Sequence, residues 1–454
     1  MLQEQSKYLL SPVSRVSKKS ANCLLLAISP FCVFFAFDGT FNIQIILPLI
    51  VLGLIQNITN SKARLTSNHL ILIFFAALCA LSTAVAALFN PAIISTVSLF
   101  RILYVFVIVL YFIIMTDTEY SAHEISYILD AQIISSVMVS CGIIYNSCHG
   151  DFGKNSITSL FDVWIDPNLI AAFLCTAPLF LLLKLYYSAG RGYKALLSAA
   201  LFIICLGIFL TGSRGAFLAV SSTLILEVIF LFFSDSNKKI SRKILITTFL
   251  MLLLAAIAFL LLHILPEFIV NRFLKNSYVD SSNKTRLAIW KFALKGFSQK
   301  PMFGYGVGNY NYFLSNTIPG LAKSVVAHNT YLDILLDSGL IGFSLFLVFC
   351  FRIIGTYFHK KNIVFLPIIL NVFITSFIVG AERSVYFWNS IIIFAIIGRF
   401  LRDNPGKNVQ KKIFLENKEW KNGLTHQRHR AGLQRRALSA SLSGKSAKPN
   451  LPES

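Results

Sequence analysis

Charge is what this sequence has least of. Asp, Glu, Lys and Arg make up 13% of its 454 residues, against about 25% in soluble domains. Apolar types make up 56% and the mean hydropathy is +0.68. So few polar side chains cannot cover a water-facing surface of this size, which excludes soluble globular domains, coiled coils and mostly disordered chains. Cysteine is scarce as well: there are eight and no C-x-x-C pair. That removes zinc ribbons, dithiol redox motifs and disulfide scaffolds. Most of the cysteines sit in apolar runs as small fillers; Cys141 and Cys148 are the pair that could bridge if both faced an oxidising side. Acidic residues number 20 against 41 basic ones, and no Asp-x-Asp occurs, so a metal-bridged nucleotide-sugar site of the soluble type has no obvious ligands and no metal or other cofactor is expected. What remains is an integral membrane protein. Its net charge of +21 would suggest nucleic acid in a soluble chain. Here it reads as the positive-inside rule plus anionic headgroups, with no nucleic-acid partner.

A membrane helix needs about 20 mostly apolar residues, and on that criterion the chain offers about twelve spans. They run near 21–38, 41–57, 69–89, 97–115, 125–145, 167–187, 194–211, 215–233, 244–265, 329–351, 363–380 and 384–401. The first two are short, and the fifth is weak because it holds Asp130, Gln132 and several serines. No small-x-small cleavage site follows the first run, so it is expected to be retained. The fold class expected is an all-α integral membrane protein with a large, partly helical loop between spans nine and ten. Residues 1–20 form a cytoplasmic segment, 21–401 the membrane domain and 402–454 a basic, disordered cytoplasmic tail suited to anionic lipids.

Basic loops support this map. With the N-terminus inside, Lys62, Arg64, Lys184, Arg191, Lys194, Lys238, Lys239, Arg242, Lys243, Arg352, Lys360 and Lys361 all fall inside, as does the tail from Arg402. Two outer connections are long, Asn146–Asp166 and Pro266–Ala327, and long loops usually carry function. In the second, Ile289, Ala293 and Phe297 share a stripe with Trp290 and Leu294 beside it. Ser281 or Ser282 would cap an amphipathic helix there, and Pro301 would end it. Such a helix would lie across the outer mouth of the bundle.

Ionisable residues near spans are costly and mark function by default. Arg101, Arg214, Arg286, His328, Asp333, Asp337, Glu382 and Arg383 all map to the outer ends of spans or the outer loop. Each has an ordinary reading: Arg214 and Arg101 as snorkelling anchors, Arg286 as a surface charge, His328 as a satisfied interfacial histidine, Asp333 and Asp337 as capping or packing groups. Together they separate two classes. Transporters hold substrate near the midplane, whereas cations gathered at one surface suit an anion delivered at the boundary, such as a lipid-linked diphosphate. Asp151-Phe152-Gly153 lacks any kinase context. Gly304-x-Gly306-x-Gly308 joins no strand to a helix and reads as a tight turn beneath the amphipathic helix.

Four stretches, taken in order, resemble one family. Leu210-Thr-Gly-Ser-Arg-Gly-Ala resembles the arginine turn of the O-antigen ligase/polymerase superfamily. Arg286-Leu-Ala-Ile-Trp290 with Pro301-Met-Phe-Gly304-Tyr-Gly306 after it resembles its large loop, and Ala327-His328-Asn329-Thr-Tyr331-Leu332 continuing to Asp337-Ser-Gly339-Leu-Ile-Gly342 resembles its histidine motif. Asp166-Pro-Asn168 also fits. The resemblance covers about residues 160–400; the first 150 match only as hydrophobic spans and the basic tail does not match. It departs at Asp337, where many relatives carry a glutamate.

This resemblance implies a metal-independent, inverting glycosyltransferase of the bacterial inner membrane. The donor would be a glycan on undecaprenyl diphosphate, and the acceptor a sugar hydroxyl of lipid A core, at the periplasmic face. It implies that Arg214 and Arg286 hold the diphosphate and His328 activates the acceptor, with Arg101, Asn168, Asn329, Asp333, Asp337 and Arg383 as substrate-binding candidates. An O-antigen or exopolysaccharide polymerase, whose acceptor is a lipid-linked repeat unit, is the alternative within the family. A polysaccharide or lipid transporter is the rival from another class, and a non-catalytic scaffold a third.

Overall fold

Backbone crossing a bilayer must satisfy its own hydrogen bonds, so long apolar runs become helices. The computed structural model describes residues 18–31, 65–89, 96–149, 159–160, 163–164, 166–188, 190–234, 279–310, 327–358, 362–405 and 409–414, with a few single positions between 244 and 259. Among these, eight helical stretches are long and apolar enough to cross a membrane. In chain order α1 is Lys18–Ile28, α2 Ser67–Phe89, α3 Thr96–Asp117 and α4 Ala122–His149. A minimal antiparallel ladder pairs β1, Ser159–Leu160, with β2, Val163–Trp164. Then come α5 Pro167–Leu174, α6 Thr176–Tyr187, α7 Arg191–Leu210, α8 Arg214–Ser234, α9 Val279–Gln299, α10 Thr330–Gly355, α11 Leu366–Thr375, α12 Val385–Asp403 and α13 Val409–Phe414. The protein is thus an all-α membrane protein.

Spans three to eight, ten and twelve of the expected map coincide with the eight long stretches. Span eleven is shorter than expected, as Ile363–Thr375, and of span one the structure describes Ala21–Phe31. Span eleven stops early for a visible reason: the chain unwinds after Thr375 and turns the carbonyls of Ser376 and Val379 toward the backbone N–H of Thr330 at the start of α10. Residues 32–38 of the first span, the second span, 41–57, most of the ninth, 244–265, residues 266–278 and 311–326 of the loop and the tail beyond 414 lie outside the described residues. The weak fifth span is a full helix, α4. Ser135 and Ser136 return their hydroxyls to the Gln132 carbonyl, and Asp130 pairs with the buried Lys184 of α6. Local bonds and one ion pair thus hide polarity that the sequence shows openly. Cys141 and Cys148 are free thiols on α4. Seven residues of helix put them about 10 Å apart, too far to bridge, which corrects the possibility raised from the sequence.

Helices α5 and α6 form one bent span. Pro178 has no N–H for the Leu174 carbonyl, so the helix breaks at Cys175. Nearly every residue of this span is buried, making it the central stave. Around it α2 packs on α10, α4 on α7 and α8 on α11. Lipid tails are as apolar as leucine, so close packing and interhelical hydrogen bonds carry this association. Asn389 on α12 accepts from the Tyr111 hydroxyl of α3 at 2.9 Å and donates to Ser29 at 2.7 Å. Asn371 on α11 donates to Thr223 on α8 at 2.8 Å.

The ends of the bundle differ. The N-termini of α5, α8 and α10 share one end with the C-termini of α7 and α11. At the other end Arg399 bonds the carbonyls of Thr116 and Asp117 at the close of α3.

Candidate active site

Asp166 stands at the centre of this end. It N-caps α5: its carboxylate accepts from the Asn168 N–H at 2.8 Å, and Pro167 fills the first helical position, where a missing N–H costs nothing. The Asn168 side chain donates to the same carboxylate at 3.1 Å and accepts from the Ser213 hydroxyl at 2.9 Å. Ser213 ends the turn after α7, where Gly212 adopts φ 64 and the Ser213 N–H bonds the Thr211 hydroxyl at 3.2 Å. Arg214 is the next residue and opens α8. Gly215 behind it packs so tightly on Ile378 that a Cβ would overlap that side chain.

His328 comes from a third helix start. Its φ of 49 makes it the non-glycine residue with positive φ among the described residues, a conformation found at strained, functional positions. Its Nδ1 lies 3.7 Å from Asp166 Oδ2, and the two side chains are 32% and 26% exposed, open to a ligand yet sheltered. Asn329 caps α10, accepting from the N–H groups of Tyr331 and Leu332. Thr330 is tied to α11 through Ser376 and Val379.

Arg286 arrives on α9. This helix begins at Val279, two residues before Ser281, so neither serine is the cap expected from the sequence. Ile289 and Ala293 are buried as expected, against Tyr305, Tyr310, Ala327 and Leu336, while Leu294 is exposed and lies off the buried stripe. Trp290 donates to the Ala327 carbonyl at 2.9 Å. That bond ties α9 to the residue before His328, one helical turn from Arg286. Burial pulls the Arg286 guanidinium below its ordinary pKa; Asp166 opposes that shift and Arg214 adds to it. Asp166 therefore lies within electrostatic reach of the His328 imidazole and the Arg286 guanidinium, and Arg286 within that of Arg214, at a meeting of three helix N-termini.

A second joint fixes α9 along α10. Helix α10 is broken at Gly339, with φ 66 and ψ −169. Groups around the break bond the chain that leaves α9: Tyr305 N–H to Leu336 O at 2.8 Å, Gly306 N–H to Asp337 O at 3.0 Å and Leu340 N–H to Pro301 O at 2.8 Å. The glycines at 304, 306 and 308 all have positive φ, the tight turn expected beneath the helix. A Cβ on Gly339 would sit on the Met302 carbonyl. Gly339→Ala is expected to cost about 2–3 kcal/mol through the strained φ and the clash. A thermal melt of the purified protein checks this, and an unchanged midpoint would contradict it.

The remaining candidates separate. Asn168 and Asn329 are held within the framework just described. Asp333 is buried and accepts from the Tyr310 hydroxyl. Asp337 accepts from the Gly308 N–H at 2.9 Å and, with Arg101, lines a different cavity from the group around Asp166. The Arg383 side chain lies outside what the structure describes. Two residues were not among the site candidates. Asp166 stood only as the start of Asp166-Pro-Asn168, with no role assigned to it. Glu227 sits mid-run in α8, fully buried, its carboxylate without a hydrogen-bond partner among the described residues.

This geometry agrees with a likeness to known proteins. Residues 199–347 match the family model described as O-antigen ligase, a stretch that holds Arg214, Arg286 and His328 but begins after Asp166. No curated protein matches the chain. Through that segment the chain is similar to the O-antigen ligase family.

Proposed function

We propose that this protein is an O-antigen ligase-like glycosyltransferase. It moves a glycan from undecaprenyl diphosphate to a sugar hydroxyl of lipid A core, at the periplasmic face of the bacterial inner membrane. The observation that carries the reading is the grouping of Asp166 beside His328, with Arg286 in electrostatic reach of both Asp166 and Arg214. Two guanidinium groups and converging helix N-termini suit a diphosphate, which is both anionic and a good leaving group. His328 stands with Nδ1 3.7 Å from Asp166, and its imidazole is the base for the acceptor. An imidazole, with a reference pKa of about 6.5, accepts a hydroxyl proton at neutral pH. The acceptor oxygen bonds the anomeric carbon as the carbon–oxygen bond to diphosphate breaks. The proton moves to His328, the leaving charge falls on the arginines, and in-line attack inverts the centre.

Reconstitution with a defined lipid-linked glycan and two acceptors, lipid A core and a second lipid-linked repeat, tests this. Product on lipid A core is expected. Product on the second repeat alone would make the protein a polymerase, and neither product would defeat the transferase reading.

The arginines supply the charge that a metal supplies elsewhere, and the sequence has no Asp-x-Asp to hold one. Transfer is therefore expected to hold its rate in EDTA. A loss of about tenfold or more, restored by Mg²⁺, would contradict this.

A further inference from the structure

Glu227 is the acidic residue of α8 and lies about 20 Å from Arg214 along that helix. It is 0% exposed, and neither carboxylate oxygen has a hydrogen-bond partner among the described residues. An isolated ionised carboxylate is too costly to keep in an apolar interior. The elements packed on α8 offer it no counter-charge. Helices α5 and α11 and the turn Ile363–Phe365 contain no charged residue. On α6 Lys184 is bound to Asp130, and on α7 Arg191 and Lys194 lie in the first turn.

A neutral acid has one proton to donate, and one buried acceptor stands open beside it. Thr223 lies one turn before Glu227 on the same face of α8. Side chains lean toward the N-terminus of their helix, so Glu227 leans toward Thr223. Asn371 of α11 meets Thr223 there, its Nδ2 donating to the hydroxyl at 2.8 Å. Thr223 gives its own proton to the Ala219 carbonyl at 2.6 Å. It can therefore only accept from Asn371, which fixes the orientation of the amide. Asn371 is 0% exposed and its Oδ1 has no partner among the described residues. Helices α8 and α11 are antiparallel, so one turn inward of Asn371, at the level of Glu227, stands Pro367, which has no N–H to offer.

We infer that Glu227 is a positioning residue: as a neutral acid it donates its O–H to Asn371 Oδ1 and locks α8 to α11. The role rests on the transferase reading, because α11 is the element between Arg214 and His328. The chain after α11 packs Ile378 on Gly215, next to Arg214, and turns the Ser376 and Val379 carbonyls to the Thr330 N–H, two residues from His328. A slip of α8 along α11 would move Arg214 relative to His328, and small misplacements of reacting groups cost much rate.

Infrared spectra of the full-length protein in phosphatidylcholine nanodiscs at neutral pH test the lock. The unaltered protein is expected to show a protonated-acid carbonyl band that Glu227→Gln lacks, and Asn371→Leu is expected to move that band. No such band, or a band that Asn371→Leu leaves in place, overturns the lock. Transfer by the same proteins tests the role. Glu227→Met, close in volume but without a donor, should lower kcat about tenfold or more. Glu227→Gln can still donate to Asn371 and should stay within about threefold of the unaltered protein. A melt verifies folding of each, and Asn371→Leu, expected to slow transfer likewise, carries the kinetic test should Glu227→Met fail to fold. A folded Glu227→Met with unchanged kcat, as a purely structural acid would give, or a Glu227→Gln as slow as Glu227→Met, overturns the positioning role. No product from the unaltered protein defeats the transferase reading and the role with it, while the infrared band still decides the lock.

Discussion

His328→Ala should lower the rate of transfer about 10³-fold, within the range of a lost general base, without lowering the melting temperature. The side chain is 32% exposed and belongs to no buried core cluster, so its removal leaves no enclosed core cavity. The strained backbone is the confounding factor, because φ 49 suits asparagine better than alanine. His328→Asn removes the base while relieving that objection, and it should be as inactive. Asp166→Asn is the finer test. Asparagine caps a helix as well as aspartate, so α5 keeps its start and only the charge is lost. That charge orients the imidazole and stabilises its protonated form, so kcat should fall about 10²-fold. Donor KM should hold or drop, because a carboxylate competing for Arg286 has gone. Transfer within about threefold of the unaltered protein for His328→Asn would remove His328 from its role.

Much of this site was legible because chemistry in a membrane chain is rare enough to stand out. Arg214, Arg286 and His328 interrupt apolar or amphipathic runs and lie at the ends of elements. Any map that fixes the spans also fixes the end of the bundle they occupy. What the sequence hid was partnership. Asp130 looked like a defect in its span because Lys184 is distant in the chain. Asn168 and Asn329 looked available for substrate because their backbone and side-chain partners appear only when α5, α8 and α10 start side by side. Arg101 and Asp337 joined the list through their depth, yet α3 and the Gly339 break carry them to another cavity. Asp166 was given no role for the reverse reason: a capping aspartate is ordinary until an imidazole and a guanidinium approach it.

Arg286→Ala should reduce kcat/KM about 10²–10³-fold, the usual cost of removing one stabilising donor from a transition-state charge. Arg214→Ala should do the same, and the double variant should lose less than the product of the two, since both act on one leaving group. Arg286→Lys should recover only part of the loss, because an ammonium cannot match two phosphate oxygens as a guanidinium fork does. Stability should move the other way. Without donor, Arg286 is partly buried beside a like charge, and both effects work against its charged form, with Asp166 as the opposing influence. Removing it relieves burial and repulsion together, so Arg286→Ala should melt at the same temperature as the unaltered protein or higher. A structural arginine would behave oppositely, its loss lowering stability and leaving the transfer rate of the surviving folded fraction near normal. The pairing of large kinetic loss with retained or raised stability is therefore the signature of a cation held ready for an anionic donor, and an Arg286→Ala protein that melts early yet transfers normally would reverse the assignment.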